Sequence, residues 1–488
     1  MKRSSGVLMH ISSLPGDYSI GGFSQSAKDF IDILADSGFT YWQTLPFCLT
    51  DMCNSPYQSC SAFGGNPYFV DLTELYELGL LTKLELIIAE QENPYRCEYE
   101  KLSRERVQIL SLAASRADKK LRAKIKKFIK GNEELEKFCR FMALKFENNQ
   151  VAWYDWTSFE CKSEDVFAWQ FIQYFFHKQW LEIKDYANKK GIKLIGDVPI
   201  YVSYDSCDVW GNKEQFDLDS EGKPRSLAGC PPDYFSEDGQ FWGNPIYDWN
   251  HMKEDGFSWW KKRMQHMLSL FDGVRIDHFR AFDTYWSIPA GAESAKYGKW
   301  KKGPGKDFIR MLWEVAGDKL IIVEDLGEIS DSVKKLLKYS KFPGMRVMQF
   351  AFLGERDSSH APHNYEKNCV AYSGTHDNNT ILGFVWESSE ENRRELLDYC
   401  GFTRRDWDTH DTYDAIIRTL MASVADLVIF PIQDILHYGS DTRMNTPGDP
   451  SGNWRFRLTK EQLSSIDTFK YKKMNELYCR FGIDENND

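Results

Sequence analysis

Eight short apolar runs, each followed by a helical stretch, constrain this chain more than any other feature. As strands they read Gly6 to Ile11, Tyr41 to Phe47, Lys193 to Ile200, Gly273 to His278, Lys319 to Asp325, Met345 to Phe352, Cys369 to Thr375 and Asp426 to Ile432. Between them lie helical patterns, among them Ser24 to Ser37, Asp165 to Lys189, Met252 to Leu270, Lys306 to Val315, Ser330 to Tyr339, Ser389 to Tyr399 and Asp414 to Ala422. Strand-then-helix repetition with eight strands predicts an α/β fold, a closed parallel (β/α)8 TIM barrel; a doubly wound open sheet is its rival.

Two connections are too long for simple crossovers: Cys48 to Ile192 and Tyr201 to Asp272. The first holds a polar, charged block from about Leu80 to Gln150. That block keeps apolar periodicity at Ile109, Leu112, Leu121, Ile125 and Phe128, so it reads as an inserted subdomain and not a linker. The expected organisation is one catalytic barrel over residues 1–488. It carries insertions at 48–165 after the second strand and 201–270 after the third, and no separate C-terminal β domain. The tail, Leu458 to Asp488, reads as a closing helix followed by an acidic end.

The formal net charge is -11 and the pI near 5.5, so no basic field is available for nucleic acid or an anionic membrane. The densest basic run, Lys119 to Lys130, reads as the solvated face of a helix. Eleven scattered cysteines, an odd count without paired short spacings, suit reduced thiols better than a disulfide framework or a zinc site. Lys2 and Arg3 precede only a short apolar run, Val7 to Met9, and no run is long enough to span a bilayer. A soluble, cytoplasmic protein is expected. Aromatic residues make up 15% of the chain, including 16 Trp, which permits sugar stacking as well as core packing.

One stretch, FDGVRIDHFRAFD from Phe271 to Asp283, carries chemistry on a strand. Alternation puts Val274 and Ile276 on one face and Arg275 with Asp277 on the other. A buried Arg and Asp two residues apart are costly unless the pair has a task. Arg275 favours the ionised carboxylate that a nucleophile requires, although a structural ion pair would look the same. In a barrel, chemistry belongs at the C-terminal ends of the strands. Those ends carry Asp197 in LIGDVPIYV, Asp277 in VRIDHF, Glu324 in IIVEDLGEI, and His376 with Asp377 in YSGTHDNNT. Alternation alone does not decide whether Glu324 or Asp325 faces inward, and Asp377 could simply cap the next helix.

Further motifs stand in order along the chain: RSSGVLMHISSLPG at Arg3, SPYQSCSAFGGNP at Ser55, GDVPIYVSYDSCDVW at Gly196, GCPPDYFSEDGQFWGNPIYDW at Gly229 and RMNTPGDPSGNW at Arg443. Together with VRIDHFRAF, EDLGEI and SGTHDNNT they resemble the 4-α-glucanotransferases of glycoside hydrolase family 77, the amylomaltases. The resemblance spans nearly the whole chain and is weakest from about Leu80 to Gln150. It implies an α-amylase-like barrel and a retaining double displacement, in which the two working carboxyl groups stand about 5 Å apart. It also implies Asp277 as nucleophile, Glu324 as general acid and then base, and Asp377 as a third carboxylate binding two sugar hydroxyls. Arg275 would keep Asp277 ionised, Asp197 would hold the subsite floor, and His376 would donate to a hydroxyl, with His278 beside the nucleophile.

By the same resemblance, Gly229 to Asn244 forms a loop over the cleft, stiffened by Pro231 and Pro232. There Tyr234 and Phe235 stack on the incoming acceptor. Tyr57 matches an outlying glucan-binding aromatic, and Asn453 and Trp454 follow the eighth strand, with Trp454 on the donor side or closing the barrel. The partners implied are α-1,4-glucans: maltodextrins, maltose, and glucose as acceptor. A retaining glucan hydrolase and a silent glucan-binding barrel are the competing readings. Three departures bear on acceptor preference and product size: LPFCLTDMCNSPY from Leu45, Cys230, and LHYGSDTRMN from Leu436. No metal site is expected, because His10, His278 and His376 lie on different strands without short ligand pairs. No cofactor is expected either, since Asp307 stands where a phosphate loop after Gly303 to Gly305 needs Ser or Thr.

Overall fold

The structure is a computed structural model that describes residues 2–232, 237–327, 329–353, 358–402 and 410–481. Every predicted strand forms: β1 (Ser4–Leu8), β2 (Tyr41–Gln43), β3 (Lys193–Val198), β4 (Gly273–Ile276), β5 (Leu320–Val323), β6 (Gly344–Val347), β7 (Cys369–Tyr372) and β8 (Leu427–Pro431). Each pairs in parallel with its sequence neighbours, and β1 also pairs with β8 through Ser4 to Leu427 and Leu8 to Pro431. That last pairing closes the barrel and removes the open sheet.

The predicted strands run too far at their C-terminal ends. β2 stops at Gln43, not Phe47, and β6 gives way at Met348 to a 3-10 turn through Phe352. The apolar pattern continues because those residues stay buried, but their backbone leaves the ladder to form the loops of the barrel mouth. Buried polar groups fill part of the barrel interior. The Tyr372 hydroxyl donates to Gln43 Oε1 at 2.8 Å, and Asp197 lies opposite Arg275 in the β3–β4 register.

The first long connection folds as helices Tyr99–Ser115, Lys119–Lys130 and Glu133–Glu147, packed against the long helix Ser163–Lys189. The basic run keeps Ile125 and Ile129 inward while its lysines face solvent, and Phe128 meets Tyr174 and His177 edge-on or tilted. Leu112, predicted on the apolar face, is exposed. These helices share one continuous hydrophobic core with the barrel.

Two features depart from expectation. The helix predicted over Met252 to Leu270 is two, Trp249–Glu254 and Ser258–Leu270. The break falls where Gly256 and Phe257 both take positive φ, 71° and 60°. Beside the barrel mouth stands an unforeseen antiparallel sheet, ordered Gln240–Pro245, Ser226–Cys230, Thr284–Pro289, Lys299–Lys302. Its strands are short and rich in Gly, Pro and Lys, which hides them from a periodicity reading. At the other end, Arg480 closes the barrel by donating to the carbonyls of Ser4, Met421, Ser423 and Ala425. Among the described residues no helix is long and apolar enough to cross a membrane.

Candidate active site

Asp197, Asp277, Glu324 and Asp377 come from four different strand ends, and one arginine ties the first two together. Arg275 Nη1 donates to both carboxylate oxygens of Asp197 at 2.9 Å, and Nη2 donates to Asp277 Oδ1 at 2.8 Å. Arg275 is 4% exposed and Asp197 1%, so this is a buried charge network and not a surface pair. Its third side is the Tyr57 hydroxyl, which donates to Asp197 Oδ2 at 2.8 Å. Asp197 therefore lies beneath the cleft. Tyr57 is not outlying: it bonds the network directly, and its ring stacks on His376 at 5.1 Å and 13°.

Glu324 follows the last residue of β5, and its backbone N–H still donates to the Ile276 carbonyl of β4. The carboxyl accepts the His278 N–H at 2.8 Å and the Leu326 N–H at 2.7 Å. Burial pushes its pKa up to about 7, the nearby Asp277 charge adds to that, and Arg275 with the two amides opposes it. Asp325 faces elsewhere, bonding the Met345 N–H at 2.6 Å and Arg346 at 2.9 Å. A side chain at Gly344 would meet the Asp325 carboxylate at 2.6–2.8 Å, so glycine is required there. The choice left open by alternation is thus decided by Arg346 and Gly344.

His278 sits in the left-handed region at φ 48°, an unusual conformation for a non-glycine residue. That turn aims its N–H at Glu324 and sets its ring edge-on to Trp242 at 5.0 Å. Burial lowers the His278 pKa to about 4, against the opposing pull of Asp277. Asp377 does not cap the next helix; Thr380 does. Instead Asp377 Oδ1 accepts from Asn445 Nδ2 at 2.6 Å, and Oδ2 lies 3.3 Å from His376 Nε2.

A cleft of about 300 Å³ opens over these groups, lined by Tyr57, Trp242, Asp277, His278, Glu324 and Asp377, with His376 and Trp454 on one wall. Arg275 and Asp197 lie under it. Asn453 does not line it: its amide is committed to the Thr446 backbone and the Asp449 carbonyl, folding the loop that presents Asn445 and Trp454. Tyr234 and Phe235 lie outside the described residues. Sequence reasoning missed Trp242, Asn244, Gln58 and Asn445. Gln58 and Asn244 exchange amide hydrogen bonds at 3.0 and 3.1 Å on the cleft wall. All four sit inside motifs already singled out, so the signal was present without a reason to choose them. Among the described residues no cluster of His, Cys, Asp or Glu could hold a metal ion.

A (β/α)8 barrel whose mouth gathers carboxylates from four strand ends beneath aromatic walls has the layout of a barrel enzyme with its site at the C-terminal strand ends. Comparison with known proteins narrows this. The family model described as 4-alpha-glucanotransferase matches residues 9–463. The 4-alpha-glucanotransferase of Clostridium butyricum is 41% identical, over 97% of this chain and 100% of that one. That of Streptococcus pneumoniae is 42% identical, over 97% and 98%. The structure of amylomaltase from Streptococcus agalactiae in complex with acarbose superposes with a TM-score of 0.94 at 38% identity, covering 98% of this chain and 100% of that one. The chain belongs to the 4-α-glucanotransferase family.

Proposed function

We propose that this protein transfers an α-1,4-glucan segment from a donor maltodextrin to the 4-hydroxyl of an acceptor glucan or glucose. The reaction is a retaining double displacement. Asp277 attacks the anomeric carbon while Glu324 protonates the departing glycosidic oxygen, which leaves a glycosyl-aspartate ester and a free reducing-end fragment. Glu324, now ionised, takes the proton from the acceptor hydroxyl, whose oxygen displaces Asp277 and restores both carboxyl groups. Asp377 and His376 hold hydroxyls of the sugar that passes through the oxocarbenium-like state. Arg275 orients Asp277, Asp197 fixes Arg275, and Tyr57, Trp242 and Trp454 stack on sugar faces. Tyr234 and Phe235 are assigned to acceptor stacking on the family resemblance alone.

One observation carries this reading. Glu324 has a pKa raised to about 7 beside a carboxylate held by a buried arginine. A carboxyl that keeps its proton towards neutral pH, next to one ion-paired with an arginine, is what an acid and a nucleophile need. We place the protein in a reducing compartment, because all eleven cysteines are free thiols. We also read residues 48–165 and 201–270 as insertions in a single catalytic barrel.

The test is incubation with maltotriose and separation of the products by length. Glucose plus a ladder of longer maltodextrins is the expected result. Maltose and glucose alone would mean water is the acceptor, and unchanged maltotriose would overturn the reading. Asp277→Asn should lower turnover by about 10³-fold or more while glucan binding survives.

A further inference from the structure

The antiparallel sheet beside the barrel mouth has two faces, and the cleft uses only one. Gln240, Trp242 and Asn244 alternate along one strand and line the cleft. Phe241, between Gln240 and Trp242, points away. Its cross-strand partners form a continuous row: Phe241 opposite Gly229, Gly229 opposite Trp286, Trp286 opposite Trp300. Directly opposed residues share a face, so three aromatic rings line up across the sheet on its outer side.

Phe241 and Trp300 are exposed, and Trp286 between them is half-buried and held in place. Phe241 is 43% exposed, Trp300 41%, and Tyr297, in the turn before the edge strand, 55%. Trp286 Nε1 donates to the Ala295 carbonyl at 2.8 Å, and its ring meets Trp300 at 5.1 Å. The Arg280 guanidinium lies 4.0 Å from the centre of the Trp300 ring. Gly229 is buried between them, with the Gln240 carbonyl oxygen and the Ile288 δ-methyl where a side chain would stand, so the row leaves no room for a larger residue there. With strands roughly 5 Å apart, Phe241 and Trp286 stand about 10 Å from one another across it. Lysines on an edge strand protect it from pairing, which explains Lys299, Lys301 and Lys302 but not Trp300.

We propose that this row is a second glucan-binding site, which holds a long α-1,4-glucan chain on the outside of the sheet while another part of a polymer occupies the cleft. The assignment rests on the glucanotransferase reading. Fixed, exposed rings offer stacking area for sugar C–H faces at little entropic cost. Thr284 and Lys302, opposed on the same face, supply polar groups for hydroxyls at its edge. The strand Gln240–Pro245 joins the two sites, so a polymer held outside raises the local concentration of chain ends at the cleft.

The deciding experiment is electrophoresis of the whole protein through gels with and without glycogen, with the cleft saturated by acarbose. Wild-type protein should still be retarded by glycogen under acarbose. The Phe241→Ala/Trp300→Ala variant should show at least a tenfold weaker retardation, with maltotriose disproportionation unchanged. Retardation that acarbose removes entirely, or that the double variant retains, would overturn the second site. If the double variant fails to fold, Trp300→Ala alone, at the exposed edge strand, repeats the test of the row. Maltotriose turnover independently reports on the glucanotransferase reading.

Discussion

Glu324 and Arg275 show how much of this chemistry belongs to single side chains. The Glu324 pKa, raised from its ordinary 4.5 to about 7 by burial, makes the carboxyl a proton donor at neutral pH. Activity should therefore fall on the alkaline side with a midpoint near 7, and a kcat/KM profile flat from pH 6 to 9 would remove Glu324 from the acid role. Because its folded pKa lies above the unfolded one, Glu324 stabilises the fold fully below pH 4.5 and loses that contribution as pH rises through 7. Glu324→Gln should accordingly melt higher than wild type at pH 8, by roughly a few degrees, with a smaller difference at pH 5. Calorimetry at the two pH values checks the sign. Arg275 is the opposite case: Arg275→Met would leave Asp197 buried, and Asp277 half-buried, without their cation, at a cost of about 3–5 kcal/mol. Urea unfolding reads that loss directly, and Arg275→Lys should fall between, since a point charge replaces a fork that serves two carboxylates.

At the scale of elements, the loop Ser373–Ile381 presents His376 and Asp377, and one residue of the next strand end holds both its ends. Asp434 accepts the Ser373 hydroxyl at 2.6 Å and the Ile381 N–H at 2.7 Å, and burial raises its pKa to about 6. Asp434→Ala would leave a buried N–H unpaired, costing about 1–3 kcal/mol, and should lower kcat/KM at least tenfold. Asp434→Asn can still accept from Ile381 and donate to Ser373, so it should recover most of that loss; equal damage by both variants would show that the clamp does not set the loop. Elements also separate what was legible from what was not. The barrel strands were readable because strands buried on both faces are continuous apolar runs. The side sheet was not, because its five-residue strand Ser226–Cys230 contains Gly229 and its edge strand is mostly lysine. The bond from Tyr57 to Asp197 was not legible because the two lie 140 residues apart.

For the molecule as a whole, the inserted helices and the barrel share one core. Arg106, in the helix Tyr99–Ser115, donates to the carbonyls of Tyr18, in the loop after β1, and of Tyr68, after β2, which ties the inserted helices to both loops. Thermal unfolding should therefore give one cooperative transition with calorimetric and van't Hoff enthalpies in agreement. Two resolved transitions would mean that residues 80–150 form a unit with its own stability.

Periodicity and motif order already determined which runs become strands, which strand ends bear carboxylates, and which family the chain resembles. Those properties are local, since a strand needs only its own apolar alternation and a motif only its own residues. The tertiary structure decided what closure and register decide. It placed Arg275 between Asp197 and Asp277, turned Glu324 to the cleft and Asp325 to Arg346, and drew Tyr57 into the network. It also aligned Phe241, Trp286 and Trp300 in one row. Each of these depends on groups far apart in sequence meeting at hydrogen-bond or van der Waals distance, and on the burial that shifts a pKa, neither of which a linear pattern contains.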